Sequence, residues 1–412
     1  MSGFDDMPPG NTGRLRILVL GYIVRCPIGG MAWHHLQYVL GLARLGHQVL
    51  FLEDSGDDPW ACYDPRTGQT GIDPRYGLEF ARRVFDRVGL DQHWAYHDAL
   101  AGRWYGPGAP LVSGFCRDAE VLINLSGANP LRGPLAEVPI RIYLDTDPLF
   151  TQIRILQDKG RRRLVEEHNA HFSFGENLGA CDCGVPDDGF SWRPTRQPVD
   201  LDSWPVSPGP KKGAFTTVMQ WDSYATRDYQ GRSYGMKSAS FGPYLDLPEH
   251  TPMKLELALG SSGAPREQLR AHGWRLRDPL AVTRDPWSYQ DFIRHSRGEF
   301  SVAKHGYVAS KSGWFSERSA CYLASGRPVV VQNTGFSALF PVGNGLVPFS
   351  DPQQAIESLE AVNADYPQHC EAARAIAENF FDANRVLQSL IDRALEQPIA
   401  CRDQGLLGAR DA

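Results

Sequence analysis

Residue types that bind anions gather around the predicted start of a helix in the second half of the chain. A predicted strand, 299–304, ends in lysine, a loop at 306–313 follows, and Ser316 can cap a helix from Glu317 to Ala324. The candidates at this place are Lys304, His305, Lys311, Ser312, Gly313, Ser316 and Arg318. Free amide groups and the dipole at a helix start attract anions, which predicts a diphosphate site. A capped helix that only packs on its sheet is the alternative.

Two aspartates are the candidates for proton transfer. Asp145 and Asp147 follow the predicted strand 140–144, where either could orient or deprotonate a hydroxyl group. They could equally cap the helix that begins near Pro148. The Asp-x-Asp pattern that they form is too short to indicate a metal site.

Two glycines and two histidines stand where the first predicted strand passes into the first helix. Gly29 and Gly30 would let the backbone approach a ligand closely, and the helix start beyond them offers free N–H groups. His34 and His35 lie in the first helical turn, where one could contact a substrate, although such residues more often pack. Neither G-x-G-x-x-G nor G-x-x-x-x-G-K-[ST] occurs, which argues against a nicotinamide site and a P-loop.

Alternating strands and helices must position these residues. The apolar run 14–22, the helical spacing of 31–45 and the apolar run 48–53 form a βαβ unit, which indicates a parallel sheet and an α/β fold. Further strands are predicted at 120–125, 140–144, 171–174, 214–220, 253–259, 299–304 and 328–332, and helices at 74–88, 149–169, 238–245 and 371–395. A proline-rich stretch without periodicity separates the two patterns, so we expect two doubly wound, Rossmann-like domains facing each other across a cleft.

Composition and charge exclude several classes of protein. The 412 residues include 42 Lys and Arg against 48 Asp and Glu, and the net charge of −6 argues against a nucleic-acid partner, which usually needs a basic patch. Apolar runs of about eight residues fall far below the ~20 of a membrane span, and no signal peptide is visible. The eight cysteines form no disulfide framework, which predicts a reducing cytoplasm, and Cys181 and Cys183 are predicted to be loop thiols without a metal.

Four segments in this order resemble one group of enzymes. They are Gly29-Gly30 with the following helix and Gly46-His47-Gln48-Val49, then QPVDLDSWP at 197–205, RSACYLASGRPVV at 318–330 and NFFDANRVLQSL at 379–390. The chain is thereby similar to GT-B glycosyltransferases of the group that contains glycogen synthase, sucrose synthase and many bacterial mannosyltransferases. The resemblance covers most of the chain and implies the GT-B fold.

The resemblance implies transfer of a sugar from a nucleotide-diphosphate-sugar donor to a hydroxyl or amine of a small-molecule or glycan acceptor, without a metal or cofactor. The polar composition of the first residues predicts a disordered tail at 1–13. The resemblance implies an acceptor-binding domain at 14–194, a linker at 195–212, a donor-binding domain at 213–380 and a helix at 381–397 that crosses back to the first domain. Arg232 and Lys237 would neutralise the leaving diphosphate, a solvated basic loop being the alternative. The predicted helix breaks at Asp382, which can cap its second part.

The chain departs from the family pattern at its catalytic landmarks. The place of the glutamate that binds the donor ribose is held by Cys321, and the place of a second glutamate by Gly313. Glu317, one turn before Cys321, could substitute as a catalytic-site carboxylate, or could only stabilise its helix start.

The family's histidine in the first domain is also absent. The corresponding strand ends hold Asn124, Ser126 and the two aspartates instead. Glu176 follows the last strand of this domain, towards the cleft. Two other functions therefore stay open. A GT-B-fold sugar-nucleotide epimerase would need acidic and basic residues converging on the sugar ring, and an inactive binding or scaffold protein would tolerate the altered landmarks.

Overall fold

The computed structural model describes residues 13–210 and 212–396 of the chain. Two parallel sheets, one in each half, form its framework. In this described part, no helix is both long and apolar enough to cross a membrane.

The first half is built on a mostly parallel sheet. The strands of this half are β1 (Arg16–Leu20), β2 (Gln48–Asp54), β3 (Cys62–Asp64), β4 (Gln69–Gly71), β5 (Trp94–Asp98), β6 (Arg103–Tyr105), β7 (Val121–Leu125), β8 (Ile140–Asp145), β9 (Ala170–Ser173) and β10 (Arg193–Pro194). Its helices are α1 (Gly29–Arg44), α2 (Arg75–Arg87), α3 (Val112–Asp118), α4 (Phe150–Gln157) and α5 (Lys159–Glu166), with 3₁₀ turns at Ala109–Leu111 and Gly133–Glu137.

The strand order β10-β9-β8-β7-β1-β2-β5-β6 places the first strand in the middle of the sheet. Ile17 and Val19 of β1 belong to the core under α1, whereas Leu18 and Leu20 belong to the core on the opposite face. Because both faces are covered, β1 reads as a continuous apolar run rather than an alternating one. β6 runs antiparallel to β5, and β3 pairs with β4 in a separate hairpin.

The second half is built on a parallel sheet of order β15-β14-β11-β16-β17-β18. Its strands are β11 (Phe215–Gln220), β12 (Arg227–Tyr229), β13 (Arg232–Tyr234), β14 (Leu255–Gly260), β15 (Arg275–Arg277), β16 (Gly298–Ser301), β17 (Val329–Gln332) and β18 (Leu346–Phe349), of which β12 and β13 form a hairpin. Its helices are α6 (Ser238–Phe241), α7 (Arg266–Ala271), α8 (Pro279–Thr283), α9 (Pro286–Arg294), α10 (His305–Ser310), α11 (Glu317–Ala324), α12 (Pro352–Ala364), α13 (Tyr366–Phe380) and α14 (Ala383–Leu395), with 3₁₀ turns at Gly242–Tyr244, Leu247–Glu249 and Phe336–Ala338.

The predicted parallel strands and the first helix are confirmed, whereas two predicted helices and one predicted loop are wrong. The predicted helix 149–169 is two helices, because Asp158 leaves the helical conformation and caps α5 through the N–H groups of Gly160 and Arg161. The predicted loop 306–313 begins with α10. The predicted helix 238–245 is only α6 followed by a 3₁₀ turn.

The last helix lies against the first half. A Cβ atom added at Gly41 of α1 would lie 2.5 Å from Leu387 Cδ1 and 2.9 Å from the Ala383 Cβ of α14, so the glycine allows the two helices to approach closely. Leu387, Leu390 and Ile391 are fully buried at this contact. Residues from both ends of the chain thereby share one core.

Asp382 separates α13 from α14 and accepts a hydrogen bond from the N–H of Asn384. We expect Asp382→Ala to lower the free energy of unfolding by about 1 kcal/mol, because the first turn of α14 loses its cap. Urea denaturation measures the change. Asp382→Ser, which also caps, should recover most of the loss, and an equal loss in both variants would contradict a capping role.

Candidate functional site

A cleft of about 960 Å³ separates the two halves at the carboxyl ends of both sheets. Parallel α/β sheets bind ligands at this edge, where loops and helix starts converge. The first half contributes the loop after β1, the start of α1, and the ends of β7 and β8. The second half contributes the ends of β11 and β14 and the starts of α7, α8 and α11. The cleft is therefore the candidate site.

The start of α11 forms one wall of the cleft. Ser316 and Glu317 line it, and the Ser316 Oγ accepts a hydrogen bond of 3.2 Å from the N–H of Arg318. The other first-turn N–H groups of a helix have no partner within the helix, and the positive end of the dipole points the same way. This wall can therefore hold an anionic group.

Arg318 lines the same wall, but its guanidinium is fixed by three acceptors. Its Nε lies 2.6 Å from Glu299 Oε1, and its NH groups donate to the Val218 carbonyl and to Ser301 Oγ. Glu299 is wholly buried. Arg318 thus compensates a buried carboxylate and adds little free positive charge to the cleft.

Lys237 and Arg266 carry the positive charge that is available in the cleft. Neither forms an ion pair with a carboxylate in the described part of the chain, although Arg266 donates to the Leu259 carbonyl at 3.0 Å. Burial, followed by the charge of Arg318, lowers the pKa of Lys237 well below its ordinary value. An anion bound beside Lys237 would favour its protonated form.

Asp147 stands at the centre of a polar cluster that joins the two halves. Its carboxylate accepts hydrogen bonds from Lys304 Nζ at 2.9 Å, from the Tyr224 hydroxyl at 2.5 Å, from Arg154 at 3.3 Å and from the Tyr307 hydroxyl. Burial would raise the pKa of Asp147, but Lys304 and Arg154 outweigh it and hold the pKa below its ordinary value. Asp147 is thus an anion whose oxygens are already occupied.

Two loops that line the cleft carry a serine with positive φ. Ser126, after β7, has a φ of 59°, and Ser261, after β14, has a φ of 73°. Such conformations are uncommon for residues other than glycine and concentrate at functional sites. Both serines project into the cleft lining.

Several residues predicted for the anion site lie outside the cleft. Lys311 caps α10 with a φ of 49°, and the Ser312 carbonyl accepts from the N–H of Asn177. Gly313, also at positive φ, is in contact with Asn177, so this turn docks on the first half instead of facing a ligand. His305 accepts from the Gly235 N–H at 3.3 Å. Arg232 is exposed in the β12–β13 hairpin.

Three residues predicted for the first half are also outside the cleft. The wholly buried Asp145 accepts from Ser173 at 2.7 Å and from Gln152 at 3.1 Å, so it organises the turn after β8. Burial raises the pKa of Asp145. Asn124 donates to the Asn129 carbonyl at 2.8 Å. Glu176 pairs with Arg196 at 2.8 Å.

The glycine pair at the start of α1 permits packing between the halves. A Cβ atom at Gly29 would collide with the backbone carbonyl of Asp285, the residue before α9, and one at Gly30 would lie 3.3 Å from the Tyr289 ring. Gly30 also lines the cleft, whereas Gly29 does not. At Gly29, the backbone therefore closely approaches the backbone of Asp285 and not a ligand.

The two histidines of α1 have different surroundings. His34 lines the cleft, and burial lowers its pKa, an effect that nearby Glu317 partly offsets. His35 is wholly buried, and its Nε2 accepts from the Tyr22 N–H while its Nδ1 donates to the Met31 carbonyl. His35 thus shapes the loop after β1, and His34 remains the one that could contact a substrate.

The sequence prediction missed many of the lining residues. They include Tyr22, Cys26, Tyr63, Arg154, Gln220, Ser261, Ser262, Arg266, Asp278, Tyr289, Tyr307 and Trp314. One signal was available, because Gly260-Ser261-Ser262-Gly263 follows a strand and precedes a helix, as ligand-binding loops often do. Within residues 13–210 and 212–396, no group of three or more His, Cys, Asp or Glu could hold a metal ion.

Comparison with known proteins shows the fold. No protein-family model matches the chain, and a search of curated proteins finds no significant match. Among solved structures, an α-glucosyltransferase in complex with UDP-glucose and DNA has a TM-score of 0.56 at 10% identity, and HepE of Anabaena in complex with UDP and glucose has a TM-score of 0.52 at 12% identity. Each match covers 93% of this chain and all of the other, and together they show that the chain has the GT-B fold.

Proposed function

We propose that this chain is a glycosyltransferase that moves a sugar from a nucleoside-diphosphate-sugar to a hydroxyl or amine of a small-molecule or glycan acceptor. The main support is the cleft itself, where Lys237, Arg266 and the start of α11 face the first half from the edge of the second sheet. The two neighbours bind UDP-glucose or UDP, which supports a nucleotide-sugar as the donor.

The donor diphosphate would rest against α11 and Lys237. Departure of the nucleoside diphosphate concentrates negative charge on its oxygens, and fixed cations and amide dipoles stabilise that charge in the transition state. Because side chains and a helix start supply this stabilisation, the proposed reaction needs no metal. Glu317, which lines the same wall, would accept hydrogen bonds from donor hydroxyls.

Asp147 and Lys304 would orient the halves rather than move a proton. The carboxylate is filled by four donors and has a lowered pKa, both of which oppose a role as general base. The proposed sugar-transfer site therefore lies between this cluster and Glu317. An epimerase or a binding protein would share the nucleotide site, and product analysis with labelled nucleotide-sugars separates these functions from transfer.

We expect Lys237→Met to weaken binding of nucleoside diphosphates by about 10- to 100-fold, or ~1.4–2.7 kcal/mol, because one of the two available cations is lost. Isothermal titration calorimetry with UDP, ADP and GDP measures the change. Arg232→Met is the matched control, since it removes an exposed cation outside the cleft and should leave the affinity unchanged.

The pH dependence offers a second readout of Lys237. Its pKa is lowered in the free protein, so an anion that favours the protonated form binds more tightly as the pH falls. As the pH rises towards the ordinary lysine pKa of 10.5, the affinity of the wild type should therefore decrease more steeply than that of Lys237→Met. An equal pH dependence of the affinity in the wild type and Lys237→Met would contradict a role for Lys237 in donor binding. An equal loss of affinity in Lys237→Met and Arg232→Met would contradict it as well.

A further inference from the structure

We propose that the acceptor is an uncharged molecule with hydroxyl groups and an apolar face, as in a neutral sugar or glycoside, and not a phosphorylated sugar or a nucleic acid. The inference rests on the proposed function, which assigns the wall opposite the donor cations to the acceptor. The side chains of this wall indicate the chemical class of the acceptor.

A row of neutral hydroxyl groups runs along this wall. Tyr22, Ser126 and Thr146 follow β1, β7 and β8, which are adjacent strands of the first sheet. The Tyr22 hydroxyl interacts with the Ser126 side chain, and Ser126 Oγ lies 2.7 Å from Thr146 Oγ1. Each hydroxyl can donate as well as accept, so the row matches ligand hydroxyls, which do the same.

Apolar side chains stand beside the hydroxyl row. Ile28, Met31 and Tyr63 line the first-half wall and are half-buried, so they present apolar surface without being fully covered. A ligand face made of C–H groups would remove this surface from water. Sugar rings and their aglycones combine such faces with hydroxyl groups.

The same wall lacks the unpaired positive charge that a phosphate group would need. In the described part of the chain, Arg154 pairs with Asp147, and Arg25, behind the wall, pairs with the buried Glu53 at 3.2 Å. Burial lowers the pKa of His34 and raises the pKa of Tyr22 and of Cys26 to about 12, so these groups are neutral near pH 7. The unpaired cations Lys237 and Arg266, which would favour a phosphate group, lie on the donor wall instead.

The test compares acceptors that differ in charge. Purified full-length protein, with the labelled nucleotide-sugar that it binds, receives methyl and p-nitrophenyl hexopyranosides, hexose 6-phosphates and a short DNA duplex. We expect kcat/KM for the best neutral acceptor to exceed that for the best phosphorylated one at least tenfold. Ile28→Arg, which adds a cation to the wall, should reduce this preference, whereas Leu111→Arg, which adds one at an exposed position outside the cleft, should not.

Two further variants test the hydroxyl row. Tyr22→Phe and Ser126→Ala should raise KM for the neutral acceptor several-fold, a larger change than in the KM for the nucleotide-sugar donor. Equal or better use of phosphorylated acceptors or DNA by the wild type would overturn the inference, as would donor hydrolysis without transfer to any neutral compound. Failure to bind any nucleoside diphosphate would instead overturn the proposed function.

Discussion

Replacing Arg318 with methionine is expected to lower the free energy of unfolding by about 3–5 kcal/mol, because it leaves a buried carboxylate without its cation. Glu299 is wholly buried, and its Oε1 is held by Arg318 while its Oε2 has no hydrogen-bond partner in the described chain. The substitution also strands the Val218 carbonyl and Ser301 Oγ as acceptors. Chemical denaturation measures the loss.

Two controls show whether the buried charge is the cause. Arg318→Met combined with Glu299→Leu removes both charges and should recover much of the stability, since apolar replacement of a buried pair is often neutral. Arg277→Met breaks a more exposed pair with Glu256 and should cost at most about 1 kcal/mol. A loss in Arg318→Met no larger than in Arg277→Met would contradict the account.

Asp147→Asn is expected to affect stability and ligand binding in opposite directions. The variant loses charge-assisted hydrogen bonds between the halves, at a cost of about 1–3 kcal/mol. Lys304 and Arg154 then lack their carboxylate and add positive charge to the cleft, so affinity for a nucleoside diphosphate should rise by about tenfold, or ~1.4 kcal/mol. Denaturation and calorimetry on the same preparation measure both effects.

The pH dependence identifies the charge on Asp147 as the cause. Its pKa in the folded protein lies below the ordinary 3.8, so its stabilisation is complete above the unfolded pKa and is lost as the pH falls through the folded pKa. The stability difference between wild type and Asp147→Asn should therefore close only below pH 3.8. The control is Asp278→Asn, which removes another carboxylate from the cleft lining without breaking an ion pair of the described residues. A similar gain in affinity in this variant would mean that the lower negative charge of the cleft, and not the release of Lys304, causes the effect.

The fold could be predicted where one physical signal dominated. Buried parallel strands such as β1 and β17 place apolar residues on both faces, and their runs are visible without knowledge of what covers them. Short hairpins such as β12–β13 were missed because half of their residues are exposed and the rest form no apolar pattern. The helix 149–169 was wrongly joined because Asp158, a cap, also fits a helical surface position.

The site could be predicted only as a region. Ser316 and Glu317 follow from local capping chemistry, and the structure places both in the cleft. Lys304 was expected at a phosphate, but its partner Asp147 comes from a distant part of the chain, which local patterns do not reveal. Likewise, Gly29 has the composition of a ligand loop, and only the position of α9 shows that another backbone occupies the space.

The contact between Gly41 and Leu387 has a consequence for synthesis of the protein. Leu387 is translated 346 residues after Gly41 (387 minus 41), which at about 5–20 residues per second is a delay of ~17–70 s. During that time the face of α1 around Gly41 has no helix to cover it, and the residues of α14 that complete the core are not yet made. The nascent first half thus cannot complete its core until the second half has also been translated.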